Sequence, residues 1–251
     1  MMARIPPFDL FGVLHLTALA VLTIVGAALL ILGCRWRGTR TADYLAAGIG
    51  IFMILQEVAD RGVHHLFYHE PFRNVLPLHL CGVSVFLTAA MLMGRSKFLF
   101  EILYFWGIAG ASMAILTPDV RYTFPHFLFL SFFLSHALII VGVAYMMLVY
   151  RCRPTGWSLA RVLVITNLYM VFVALVDLLL GTNYLFLCQK PEGISLMDWL
   201  GPWPWYIAGL EAVGAGLFFL IYVPWLCWDY WPQIDTGPAR ESPPENPDQP
   251  T

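Results

Sequence analysis

Seven apolar runs, each close to twenty residues long, leave this chain few folds. A hydrocarbon core about 30 Å thick is crossed by about 20 helical residues. The runs at 11–33, 43–66, 76–94, 98–116, 124–149, 158–180 and 205–228 have that length between polar or proline-bearing breaks. The sequence is therefore read as all-α: a polytopic membrane protein with seven transmembrane helices spanning 1–231. Its composition agrees, with 59% hydrophobic and 12% charged residues and a mean hydropathy of +0.72, values outside the range of ordinary soluble domains. A nucleic-acid partner is not expected. The run at 11–33 is too long for a signal-peptide core and is taken as a retained span. Beyond Trp231 the composition turns polar and proline-rich, "PQIDTGPARESPPENPDQPT", and 232–251 is expected to be a disordered cytoplasmic tail.

Basic residues set the expected orientation. Arg35, Arg37 and Arg40, then Arg95 and Lys97, then Arg151 and Arg153 occupy alternate loops, while the opposite loops hold Arg73, Arg121 and Lys190. The positive-inside rule puts the richer loops in the cytoplasm, the N-terminus outside and the C-terminus inside, in a multi-pass protein of the cell membrane. The five cysteines show no zinc or disulfide spacing, and neither a metal nor another cofactor is expected. A bridge from Cys81 to Cys188 is one open pairing.

The ionisable residues inside the spans crowd toward the outer side. "ILQEVADRGVHHLF" (54–67) puts Glu57, Asp60, Arg61 and His64 within an arc of about 100° on one helix face, with Glu57 and Arg61, and Asp60 and His64, at i,i+4. His79, Cys81, His126, His136 and Asp177 also fall at or beyond mid-span, whereas the inner halves hold Glu101, placed to pair with Lys97. Charges in a membrane face a partner or a wet cavity, so a polar cavity open to the outer side is expected, lined by that face. Glu57 with Arg61 also reads as a structural ion pair. Cys81 reads as small apolar packing or as a nucleophile. His136 reads as a helix-to-helix hydrogen-bonding residue or as a proton-transfer group. His65 points off the shared face, and its spacing to His69 is the one weak metal signal. In the long outer loop, Asn183 and Tyr184 of "TNY" read as substrate contacts or as a loop cap.

"LPLHLCGVSVF" (76–86), "FWGIAGASMAILTPDVRYTFPHF" (105–127), "FFLSHALII" (132–140), "GTNYLFLCQKP" (181–191) and "LGPWPWYI" (200–207) together resemble the YwaF-type bacterial integral membrane proteins. More distantly the chain resembles eukaryotic transmembrane acyltransferases that move polyunsaturated acyl chains onto ether phospholipids. That resemblance implies acyl transfer on membrane lipids by an embedded cysteine and histidine, with His136 in the histidine's place. In the eukaryotic pattern the nucleophile immediately precedes a histidine; here Leu78 precedes His79 and Cys81 follows it by two. The expected function is lipid acyl transfer with His136, Cys81 and His79 as the chemical groups. The rivals are a carrier or channel for a small polar solute or protons, which needs polar groups in the inner half as well, and a non-catalytic receptor or assembly factor, which needs neither.

Overall fold

The computed structural model describes residues 8–118, 120, 122–191 and 196–230; the tail expected at 232–251 lies outside them. Among the described residues there is no strand. Seven helices follow the seven apolar runs: α1 Val13–Arg35, α2 Arg40–Leu66, α3 Leu80–Gly94, α4 Lys97–Leu116, α5 Phe127–Leu148, α6 Gly156–Leu180 and α7 Trp205–Tyr230. Six of them are long and apolar enough to cross a membrane. The exception is α3, whose 15 residues reach about 22 Å at 1.5 Å per residue, a turn or so short of the hydrocarbon thickness. The sequence led to a helix from residue 76. It starts later: Pro77 disfavours helical geometry at Leu76, the Leu78 amide turns back to the Leu76 carbonyl at 2.8 Å, and His79 is extended, with φ −64° and ψ 146°, as the N-cap.

α4 carries a second irregularity, a wider π-helical turn at Gly107–Ala111. Such turns bulge a helix locally, and this one packs against α5, α3 and α7. The most enclosed helix is α5, which touches α1, α2, α3 and α4. Two glycines allow its close approaches. A Cβ on Gly142 would collide with Thr88 of α3, and one on Gly33 of α1 would collide with the Tyr145 ring. Small residues at helix crossings are how bundles gain van der Waals contact where lipid supplies no hydrophobic drive between helices.

Loop side chains pin the end that carries the basic residues. Arg95 pairs with Asp43 at 2.5 Å, the Tyr150 hydroxyl donates to the same carboxylate at 3.0 Å, and Arg37 donates to the Leu148 carbonyl. Burial and the Asp43 carboxylate hold the Tyr150 phenol protonated well above its ordinary range. Glu101 pairs with Arg161 of α6, correcting the expected Lys97 partner. Spacing along one helix proposes an i,i+4 pair, but a neighbouring helix brought an arginine closer.

Candidate functional site

At the other end of the bundle, the last turns of α2 and α4 and the first turns of α3 and α5 enclose a cavity of about 570 Å³. The polar face of α2 forms one wall. Glu57, only 3% exposed, accepts from Arg61 Nε at 2.8 Å, and Arg61 Nη2 bonds the same oxygen. Gly82 of α3 makes room for this guanidinium, since a Cβ there would stand 3.0 Å from Nη2. Asp60 accepts from the Ser131 hydroxyl of α5 at 2.5 Å, and Ser131 in turn lies 2.6 Å from Gln56 Nε2. His64 sits between two carboxylates, with Nδ1 at 2.8 Å from Glu70 and Nε2 at 4.0 Å from Asp60. All four residues expected on the shared face line this cavity, as do His79, Cys81 and His136.

The tautomers of the histidines follow from their partners. His136 Nδ1 lies 2.7 Å from the Phe132 carbonyl. A carbonyl only accepts, so Nδ1 carries the proton and Nε2 holds the lone pair. His79 is the reverse: the Leu185 amide donates to its Nδ1 at 3.4 Å, which leaves the proton of the neutral ring on Nε2. His15 proves structural. Buried completely, it accepts from the Phe11 amide and donates from Nε2 to the Ile115 carbonyl at 2.9 Å, tying α1 to the end of α4.

Cys81 shares the cavity with His136, yet among the described residues no hydrogen bond joins it to His136, His79 or His64. All five cysteines are free, so the pairing of Cys81 with Cys188 is not formed. His65 turns its Nδ1 to the Glu70 carbonyl at 2.8 Å, and among the described residues no group of three or more His, Cys, Asp or Glu could hold a metal.

Asn183 and Tyr184 lie elsewhere. They line a second cavity of about 480 Å³ with Asn74, Thr182 and Gln189, and His79 belongs to both cavities. Asn183 is engaged by its own loop, Oδ1 accepting the Cys188 and Gln189 amides and Nδ2 donating to the Gln189 carbonyl. The loop-cap reading of "TNY" therefore describes its contacts. Burial holds the Tyr184 phenol above its ordinary range, and its hydroxyl donates to the Arg73 carbonyl at 2.7 Å.

Several participants escaped the sequence reading. Ser131 and Ser135 lie one turn apart in an otherwise apolar helix and both line the main cavity; their i,i+4 spacing, leading straight to His136, was the available signal. Tyr122 also lines it, stacked on His126 at 4.0 Å, and His126 bonds Tyr68 at 2.9 Å. Asp177, which the sequence already places toward the outer side, is 1% exposed and accepts at Oδ1 from the Thr182 hydroxyl and the Tyr184 amide, while its Oδ2 has no partner among the described residues.

An uncharacterized protein of Treponema pallidum (strain Nichols) is 25% identical to this chain over 218 residues, covering 86% of the chain and 90% of the relative. No solved structure matches. The family model that matches does so over residues 10–222, from the start of α1 into α7, and it does not single out the YwaF-type group. This multi-pass membrane protein thus belongs to the TMEM164 family.

Proposed function

We propose that the protein is a lipid acyltransferase working from the extracytoplasmic leaflet of the cell membrane. The observation that carries this reading is the meeting, in one cavity, of a free thiol and a histidine whose lone-pair nitrogen is left open: Cys81 and His136. His136 Nε2 takes the Cys81 proton as the thiolate attacks the carbonyl carbon of a lipid ester. The ester C–O bond breaks, the departing alkoxide takes that proton back from the imidazolium, and a thioester remains on Cys81. An acceptor hydroxyl then attacks the thioester, passes its proton to His136, and leaves as the new ester while the thiolate is reprotonated. The apolar walls, Phe129, Phe132 and Val85 among them, suit an acyl chain, and the Glu57, Asp60, Arg61 and His64 wall suits the polar headgroup. The resemblance to ether-phospholipid acyltransferases supports the same assignment.

The test is direct. In liposomes holding a phospholipid with an alkyne-tagged acyl chain, the wild-type protein is expected to take a hydroxylamine-labile tag that Cys81→Ala does not. In cells, a deletion strain should recover its lipid profile with wild type and not with His136→Ala. Three identical profiles would overturn the reading.

Sidedness has its own check. Cys188 is exposed on the loop away from the basic end, so a membrane-impermeant maleimide should label it in intact cells. Labelling that requires permeabilisation would turn the molecule over and put the cavity on the cytoplasmic side.

A further inference from the structure

The loop after α6 adopts a conformation that L residues avoid. Leu185 and Phe186 both take left-handed backbone angles, φ 54° and 56°, and two such non-glycine residues in succession persist only where the surroundings fix them. Here they are fixed from several sides. Asp177 accepts the Tyr184 amide, the Tyr206 hydroxyl donates to the Phe186 carbonyl at 2.5 Å, and Asn183 closes the turn onto Cys188 and Gln189. What this arrangement delivers is a fixed His79. The Leu185 amide reaches its Nδ1, and the Tyr184 and Phe186 rings pack on it with centroids at 5.0 and 5.7 Å.

The consequence lies in the proton. If the His79 ring were charged, both nitrogens would be donors and Nδ1 could not accept from Leu185. The bond thus favours the neutral ring with Nε2–H as its free donor, and that N–H has no acceptor among the described residues. His136 stands on the same cavity with the opposite tautomer and offers a lone pair. One histidine is set to take a proton and the other to donate a hydrogen bond without giving its proton up.

We propose that His79 is the oxyanion donor of the site: its Nε2–H binds the carbonyl oxygen of the lipid ester and strengthens that bond as negative charge gathers there in the tetrahedral intermediate. This rests on the acyl-transfer reading and assigns His79 a role distinct from that of His136. A donor preorganised where the charge develops is worth about 10²–10³ in rate. The loop spends backbone strain to keep the donor's tautomer and direction fixed before substrate arrives.

Two variants separate the ring's two ends. In His79→Asn the short amide offers its oxygen to Leu185 and serves well as an N-cap, but nothing replaces Nε2–H. In His79→Gln the longer side chain carries an N–H to that place. Tag loading onto Cys81 in liposomes should slow about 100- to 1,000-fold in His79→Asn, in kcat with KM little changed, and stay within about tenfold of wild type in His79→Gln. Wild-type loading by His79→Asn, or an equal loss in both variants, would overturn the donor role. Should His79→Asn fail to fold, His79→Gln decides alone: near-wild-type loading supports the proposal and a hundredfold loss overturns it. A wild-type protein that takes no tag overturns the acyl-transfer reading, and this inference falls with it.

Discussion

Replacing His136 by alanine is expected to slow acyl loading of Cys81 about a thousandfold, the scale of a lost general base. The geometry names the nitrogen responsible. Nδ1 is committed to the Phe132 carbonyl at 2.7 Å, so the whole effect must pass through Nε2. His136→Asn sharpens the test, because its amide can still donate to Phe132 while offering no base, and it should load as slowly as the alanine variant. The fold should survive both, since one hydrogen bond contributes about 1 kcal/mol and α5 is held by four other helices. Imidazole added to the His136→Ala protein should restore part of the rate, as the vacated volume opens on the cavity. Initial rates of hydroxylamine-labile tag incorporation check all three, and an undiminished rate in His136→Ala would make His136 a packing residue.

The sequence showed the number of helices, the shared face of Glu57, Asp60, Arg61 and His64, and the gathering of polar groups at the end away from the basic loops. These are local or periodic properties, set by run length and by 100° per residue. Contacts between distant segments were hidden. Glu101 has Lys97 on its own helix, but its ion pair is with Arg161, sixty residues on. Asp60 finds Ser131 only because α2 and α5 are neighbours. The division into two cavities was equally invisible, since it depends on a loop with left-handed residues at Leu185 and Phe186, neither a residue type that announces such a turn. The short α3 was half legible: Pro77 marked a break, but only the bundle shows that the missing helical turn leaves His79 beside a cavity.

The ion pair of Glu57 and Arg61 predicts the second large effect, this time on stability. Glu57 is 3% exposed and is ion-paired with Arg61, whose side chain retains 29% exposure. Arg61→Ala strips a buried carboxylate of its partner, which costs about 3 kcal/mol. In a chain of this size each kcal/mol moves the thermal midpoint by about 2–4 °C, so unfolding in detergent should begin roughly 6–12 °C lower. Glu57→Gln should cost less, because the guanidinium left behind still reaches the wet cavity. The double variant Glu57→Gln/Arg61→Ala removes both charges and is expected to recover most of the midpoint. Its activity then separates two meanings of the pair. A pair that only braces α2 predicts a double variant as active as it is stable. A pair that also meets the headgroup predicts a stable protein whose KM for lipid rises about tenfold. The second outcome is the expected one, because Gly82 leaves the guanidinium room that a Cβ would take and Arg61 stands on the cavity wall with Asp60 and His64.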